Sequence, residues 1–256
     1  MDDSPSADAG LTRDAFLGGK LHLWQPVKGF RAATDPVLLA AACPAAPGQS
    51  VLDLGTGVGS AALCLAARVP GLALTGLELQ PFYADLARRN AAENGVALEV
   101  LTGDLSQMPA QLRRSFDHVI ANPPYYARGG TPSPDRGRAL ALQGDLPLAA
   151  WVDAAARRLK DGGTLTLIFG TDGLTEVLGA LGTRLGSAQL LPLTPREGRP
   201  ALRLILRAKK GGRAALRLLP PLILHQGADH DGDRDSYSPR AGEILRFGAS
   251  LEAEFA

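Results

Sequence analysis

The chain has 256 residues, of which 45% are hydrophobic and 21% are charged, and its formal net charge is +1. This length and balance fit one soluble α/β domain, and no apolar run reaches the roughly 18 to 20 residues of a membrane-spanning helix. Residues 1–10 lack the basic and apolar pattern of a signal or transit peptide. We therefore expect a cytoplasmic protein with a disordered tail over residues 1–11.

A helix is the first element that the sequence predicts. Thr34-Asp35-Pro36 supplies a polar cap and a first-turn proline ahead of apolar residues 37–42. Short apolar runs then alternate with helical segments. The predicted strands cover residues 51–54, 72–77, 98–101, 116–121 and 164–169, and the predicted helices cover about 60–69, 81–94, 146–160 and 174–185. This alternation predicts a parallel sheet with helices on both faces.

The last part of the chain breaks the alternation. Two strands, 188–193 and 201–207, are joined by a turn too short for a parallel crossover, which predicts an antiparallel hairpin. A basic turn over 209–213, an extended piece over 216–224 and a short helix near 239–247 follow. Five crossover-linked strands and a hairpin resemble the Rossmann-like, seven-stranded sheet of class I S-adenosylmethionine-dependent methyltransferases.

A glycine-rich turn follows the first strand of the alternating region, in the order Asp53-Leu54-Gly55-Thr56-Gly57-Val58-Gly59. Glycines let the backbone bend sharply and let a ligand approach the peptide amides. A dinucleotide fingerprint would have its third glycine one place later, where this chain has Ser60. The turn predicts a cofactor loop, and the alternative is a tight strand-to-helix turn without a ligand.

Two carboxylates close the next two strands. Glu78 lies 23 residues after Gly55, where a carboxylate can accept both hydroxyls of an adenosine ribose, as it also does in NAD enzymes. Asp104 ends the third strand and can accept from the adenine amine of a cofactor, or can be a simple cap. Together with the glycine turn, these positions predict a nucleotide-type cofactor site.

The fourth strand ends in Asn122-Pro123-Pro124-Tyr125. Prolines have a fixed φ and no N–H, so the carbonyls near them are held rigidly. The Asn122 oxygen and the Pro123 carbonyl can each accept one hydrogen of a conjugated NH₂ group, which turns its lone pair towards a methyl donor. Tyr125 can stack on the planar group. The alternative is an ordinary proline-rich loop.

These features together resemble the amino-group methyltransferases with an Asn/Asp-Pro-Pro-Tyr/Phe signature. Residues 29–40 and 237–246 are similar to the bacterial valine-tRNA adenine N6-methyltransferase family, and the similarity spans roughly residues 12–250. The resemblance implies a cytoplasmic enzyme that uses S-adenosylmethionine to methylate adenine 37, immediately 3′ of the anticodon.

The resemblance also implies an organisation and a set of site residues. It predicts one methyltransferase domain over 12–250, with a cofactor-covering segment over 12–47, a catalytic core over 48–208 and a C-terminal extension over 209–256. The implied catalytic residues are Asn122, Pro123, Pro124 and Tyr125. The implied cofactor-binding residues are Thr34, Asp35, Asp53, Gly55, Thr56, Gly57, Gly59, Glu78, Leu79, Asp104, Leu105 and Asn122.

A tRNA partner is also suggested by charge. Nine cations and one acid lie from Arg184 to Arg217, and the part from Arg196 to Arg217 can track a phosphate backbone or be a solvated face. We expect the loop from Arg128 to Arg138 to order over the RNA. Trp24 can stack on a base, although packing against the edge of the fold is favoured.

No metal site is expected. Cys43 and Cys64 form no second pair, and the four histidines have no ligand spacing. The acidic run from Asp229 to Asp235 lacks the glutamate of a calcium-binding EF-hand loop, so a solvated turn is favoured.

Three other functions stay open. Glutamine N5-methylation of a release factor uses the same motif, but such enzymes usually have a helical recognition domain ahead of the cofactor loop, where this chain has about 50 residues. Guanine N2-methylation of rRNA also acts on an exocyclic amine. A non-enzymatic RNA-binding module with a vestigial methyltransferase fold is disfavoured by the intact Glu78, Asp104 and Asn122.

Overall fold

The computed structural model describes residues 10–124, 146–227 and 236–256, and in them strands alternate with helices as predicted. The strands are β1 (Leu11–Phe16), β2 (Leu21–Pro26), β3 (Ser50–Leu54), β4 (Ala73–Glu78), β5 (Leu98–Thr102), β6 (Phe116–Ala121), β7 (Leu159–Gly170), β8 (Leu185–Thr194), β9 (Arg203–Lys210), β10 (Arg217–Leu218) and β11 (Leu222–Ile223). The helices are α1 (Asp35–Ala42), α2 (Ser60–Arg68), α3 (Pro81–Glu93), α4 (Leu148–Arg158), α5 (Leu174–Leu181), α6 (Pro239–Phe247) and α7 (Glu252–Phe255).

The main sheet has seven long strands in the order β5-β4-β3-β6-β7-β9-β8. Strands β3 to β7 are parallel, whereas β9 runs antiparallel to both β7 and β8. The predicted parallel sheet with a late antiparallel hairpin is therefore confirmed. The strand order reverses between β3 and β6, and in open α/β sheets ligands bind outside the carboxyl ends of the strands at such a point.

Helices cover both faces of the sheet because successive side chains of its central strands alternate between two cores. Ile120 and Ile168 pack into the core that includes α1 and α2. Val119 and Leu167 point the other way, into the core that includes α4 and α5. With both faces buried, ligand chemistry is confined to the strand ends and the loops that follow them.

Two predicted boundaries were wrong, for reasons that lie in glycines. Helix α5 ends at Leu181 instead of continuing to residue 185, since Gly182 adopts a φ of +54°. Helix α4 ends at Arg158, and β7 includes the Gly162-Gly163 pair that was expected to be a loop. Gly162 has a φ of +77°, and the pairing of β7 with β6 shifts register there.

An N-terminal hairpin, β1–β2, was not predicted. Leu11, which was assigned to the tail, is its first residue. The hairpin packs on α3: the Trp24 backbone N–H donates to Asn90 Oδ1 (2.7 Å), its indole N–H donates to Glu93 (2.8 Å), and the Arg89 guanidinium lies 4.0 Å from its ring centroid. Trp24 therefore packs against the fold, as the favoured interpretation held.

Candidate active site

The glycine turn after β3 requires glycine at each of its three positions. Gly55, Gly57 and Gly59 have φ values of +67°, +57° and +86°, which side chains rarely allow. At Gly55 a Cβ atom would also lie 2.7 Å from the Trp151 ring. The backbone of the turn therefore carries no side chains at these three positions, and its amides can lie close to neighbouring groups.

Asp53 and Thr56 support this turn from below. The Thr56 hydroxyl donates to Asp53 Oδ2 over 2.7 Å, and the two residues are 4% and 3% exposed, respectively. Burial raises the pKa of Asp53 to about 7, against the lowering effect of the Thr56 hydrogen bond. Both were expected among the cofactor contacts, but they line neither cavity of the site and instead hold the turn in shape.

Glu78, the last residue of β4, is fastened to the glycine turn. Its Oε2 accepts from the Gly57 N–H and its Oε1 accepts from the Gln80 N–H, both at 2.9 Å. Burial raises the pKa of this carboxyl, and the two hydrogen bonds oppose that shift. The carboxylate is therefore held in a fixed position at the sheet edge, where it can accept hydrogen bonds from hydroxyl groups.

A first cavity lies beside Glu78 at the carboxyl edge of β3, β4 and β5. Leu79 and Leu105 supply apolar lining, and Asp104 supplies a second carboxylate. Asp104 Oδ1 also accepts from the Ser106 N–H (2.7 Å), so it caps a turn while lining the cavity. The two carboxylates can accept hydrogen bonds from the hydroxyls and the amine of a nucleoside, and the apolar walls suit its flat base.

Trp151 of α4 completes this cavity together with Pro124. Trp151 was not predicted as a site residue. In the sequence, Trp151 is simply an aromatic residue in the helix that follows the proline motif. No nearby residue indicates that this helix packs against Gly55.

Asn122 follows β6, next to the glycine turn after β3, and carries an unusual acceptor. Its Oδ1 is buried and has no hydrogen-bond partner among the described residues. Buried polar atoms are nearly always paired, so this oxygen at the carboxyl edge is available to accept from a ligand. Pro123 is buried beside it, and Tyr125 lies outside the described residues.

A second cavity, of about 570 Å³, lies on the other side of the motif. Asn122 lines it, together with Thr34 and Asp35 at the start of α1, whereas Pro124 lines the first cavity. Asp35 forms an ion pair with Arg203, the first residue of β9. The structure thus brings Thr34 and Asp35 to Asn122, not to Glu78 and Asp104.

The cations from Arg184 to Arg217 are distributed over different parts of the fold. Arg207 is 5% exposed, and its guanidinium donates to Ala42 O (2.5 Å) and Glu252 (2.8 Å). Strand β9 runs along the sheet from its carboxyl edge to its amino edge. Arg203 therefore pairs with Gly170 at the carboxyl edge, and Lys209 pairs with Thr164 at the amino edge.

The remaining cations divide between these two edges. Other members have partners within the fold: Arg184 pairs with Asp153 (2.5 Å), and Arg217 donates to Ala256 O (2.9 Å). Of these cations, Arg196 and Arg199 in the turn between β8 and β9 and Arg203 at the start of β9 lie at the edge that holds Asn122.

Over residues 10–124, 146–227 and 236–256, none of the helices has both the length and the apolar character needed to cross a membrane. The same residues contain no group of three or more histidine, cysteine, aspartate or glutamate side chains that could hold a metal ion. Cys43 and Cys64 are buried free thiols. The loop from Arg128 to Arg138 and the acidic run from Asp229 to Asp235 lie outside the described residues.

Comparisons with known proteins agree with this geometry. The family model described as "Methyltransferase small domain" matches residues 33–189. A tRNA1(Val) (adenine(37)-N6)-methyltransferase of Porphyromonas gingivalis is 34% identical over 191 residues, covering 70% of this chain and 74% of the relative. One of the same name from Actinobacillus succinogenes is 30% identical over 158 residues, covering 60% and 67%.

Among solved structures, a predicted O-methyltransferase of Agrobacterium tumefaciens superposes with a TM-score of 0.68 at 28% identity. The match covers 84% of this chain and 97% of that one. The predicted class I fold and the predicted family are confirmed. The chain belongs to the methyltransferase small domain family and, within it, to the family of the tRNA1(Val) adenine-37 N6-methyltransferases.

Proposed function

We propose that this chain transfers a methyl group from S-adenosylmethionine to the exocyclic N6 amine of adenine 37 in the anticodon loop of valine tRNA. The observation that carries the proposal is the buried Asn122 Oδ1 at the carboxyl end of β6, which has no partner among the residues that the structure describes. Asn122 lines the larger second cavity, and Pro124 of the same motif lines the first cavity, which suits a nucleoside.

The first cavity fits the adenosine part of the cofactor. Glu78 would accept both ribose hydroxyls, since its carboxylate is already fixed by two backbone N–H groups. Asp104 would accept from the adenine amine, with Leu79 and Leu105 against the flat base. The glycine turn would receive the methionine end, where no Cβ stands in the way. When bound, S-adenosylmethionine supplies an electrophilic methyl group on a sulfonium.

Asn122 and Pro123 would prepare the acceptor amine. An adenine NH₂ is a poor nucleophile because its lone pair is delocalised into the ring. If Asn122 Oδ1 accepts one hydrogen and the Pro123 carbonyl accepts the other, the nitrogen turns towards tetrahedral geometry and its lone pair points at the methyl group. The nitrogen becomes acidic only as it gains the methyl group, so no strong base is needed before transfer. Tyr125 would stack on the base.

The paired acceptors favour an amine over a hydroxyl substrate. A hydroxyl has one hydrogen and would leave one of the two acceptors empty, although one structural neighbour is titled a predicted O-methyltransferase. The motif does not separate adenine from guanine or from a glutamine side chain. The names of the curated relatives favour tRNA adenine among these.

Contacts with the tRNA would come from the edge that holds Asn122. Arg199 is exposed in the turn between β8 and β9, which reaches this edge. The segment from Arg128 to Arg138 follows the Asn-Pro-Pro-Tyr motif directly in sequence and would supply further cations to the RNA. With a tRNA as the proposed substrate, we also propose that the protein acts in the cytoplasm.

The test is nucleoside mass spectrometry of purified valine tRNA from cells with and without this protein. We expect N6-methyladenosine to disappear from position 37 in the deletion strain and to return when the purified protein and S-adenosylmethionine are added to that tRNA. An unchanged modification pattern would contradict the proposed substrate, and methylation of a different RNA or of a protein would replace it.

A further inference from the structure

The second cavity has two exposed apolar side chains beside Asn122. Phe30 is 45% exposed and Leu202 is 60% exposed, and both line this cavity. Scattered surface hydrophobics need no explanation, but apolar side chains that share a concave site with a convergent polar group are typical of ligand binding. The cavity volume of about 570 Å³ is within the range of small-molecule sites.

Both side chains are exposed on backbone that the fold holds in place. The Phe30 N–H donates to Tyr83 Oη (3.0 Å), and the Thr171 N–H donates to Leu202 O (3.1 Å). The preceding Gly29 has a φ of +108°, and a Cβ on it would lie 2.9 Å from Tyr83 Oη. The chain therefore turns tightly at this point, and the exposure of Phe30 belongs to the folded arrangement.

The charges of the cavity do not favour a phosphate. Among its described lining residues, the cations Arg31 and Arg203 are matched by the carboxylates Asp35 and Asp172. Arg203 is paired with Asp35, and Arg31 lies 2.6 Å from Asp14. A balanced set of charges with apolar walls suits the uncharged, flat part of a nucleotide, which is the base.

We propose that Phe30 and Leu202 form the apolar walls of a slot that receives the target base once it is turned out of its stack, with Asn122 reading its amine. This inference rests on the proposed function and specifies how its substrate is held. Phe30 also lies beside the glycine turn, because its Cε1 atom is 3.9 Å from the position that a Cβ on Gly57 would take. An extruded base is commonly held by stacking on aromatic or apolar side chains.

The test compares the slot variants Phe30→Ala and Leu202→Ala with the matched surface variants Phe247→Ala and Leu218→Ala, whose side chains are 66% and 68% exposed elsewhere. The affinity for an unmodified valine tRNA transcript is measured with saturating S-adenosylhomocysteine at low and high salt. We expect the slot variants to bind at least about 5-fold more weakly than the controls. The ratio should be equal at both salt concentrations, because no phosphate contact is lost.

Two further arms identify the occupant. Phe30→Trp should keep the wild-type affinity, because an indole offers a larger face for stacking. With a transcript that lacks the base at position 37, the slot variants and the wild type should bind equally. Thermal unfolding of every variant checks that the fold is retained.

Three outcomes would overturn the slot. The slot variants could bind as tightly as the controls, or their affinity could depend less on salt than that of the wild type. The difference in affinity could also persist with the abasic transcript. The proposed function is read separately, as N6-methyladenosine formed by the wild type in the same preparation. Absence of that product together with the expected binding differences would overturn the function and support the slot as a base-binding site.

Discussion

The two ends of strand β6 carry polar side chains in opposite situations. At the amino end, Asp117 accepts from the Ser50 N–H (2.9 Å), the Ser50 hydroxyl (2.7 Å) and Lys160 Nζ (2.9 Å). At the carboxyl end, Asn122 Oδ1 is buried and unpartnered among the described residues. One end of the strand therefore has a carboxylate that accepts hydrogen bonds within the fold, and the other has an amide oxygen without a partner in the described part of the chain.

The difference separates stability from function. A satisfied buried network stabilises the folded state, whereas a buried orphan acceptor costs free energy unless a ligand pairs with it. Burial alone would raise the pKa of Asp117, but the hydrogen bonds from Lys160 and Ser50 outweigh it and hold that pKa well below its usual range. We expect changes at Asp117 to affect unfolding and changes at Asn122 to affect methyl transfer.

The largest effect is expected at Asn122. Asn122→Ala should lower the single-turnover rate of methyl transfer at least about 100-fold, the loss typical of removing one preorganised hydrogen-bonding group. The affinity for S-adenosylmethionine by calorimetry and the free energy of unfolding should stay close to those of the wild type, because Oδ1 has no partner within residues 10–124, 146–227 and 236–256.

The matched control is Asn122→Asp, which keeps an acceptor oxygen at the same place and should retain more activity than Asn122→Ala. Comparable turnover of Asn122→Ala and the wild type would show that the orphan oxygen has no part in the reaction.

A smaller effect, on stability alone, is expected at the other end of the strand. Asp117→Ala should lower the free energy of unfolding by about 1.5 to 3 kcal/mol, since it removes a charged acceptor from the partly buried Ser50. Lys160→Ala should cost about 1 kcal/mol or less, because that ion pair is half exposed. Denaturant titration measures both. If Asp117→Ala unfolds like the wild type, or loses activity while folded, the division between the two ends fails.

A further effect on stability concerns pH. Burial lowers the pKa of His118, next to Asp117, to about 4, although Asp117 opposes the shift. Between that value and the unfolded value of about 6.5, the unfolded chain binds more protons, so stability is full above pH 6.5 and is lost as the pH falls towards 4.

Across this window, the free energy of unfolding of the wild type should fall relative to that of His118→Gln by about 1 kcal/mol per pH unit. Urea titrations of both proteins at pH 7, 6 and 5 give the difference, which cancels contributions common to the two chains. Parallel pH profiles would mean that His118 titrates normally.

Local pattern sufficed to predict most elements and to name the polar residues of the candidate site. The apolar runs, the glycine turn and the Asn-Pro-Pro motif are contiguous in sequence, and their geometry follows from φ preferences and side-chain period. The β1–β2 hairpin was missed although Leu21, Leu23 and Gln25 alternate with less buried residues. That alternating stretch is short, and the hairpin packs against helix α3, which is distant in sequence.

What the sequence determined by itself is which groups end each strand: glycines after β3, Glu78 after β4, Asp104 after β5 and Asn122 after β6. The parallel order of the strands then had to bring these groups to one edge.

Only the tertiary structure decided which of those groups meet. It set Trp151 against Gly55, paired Asp35 with Arg203, buried Arg207, and divided the late cations between two edges. The physical reason is that such contacts join residues far apart in sequence. They depend on strand order and helix packing, which no single stretch of the chain encodes.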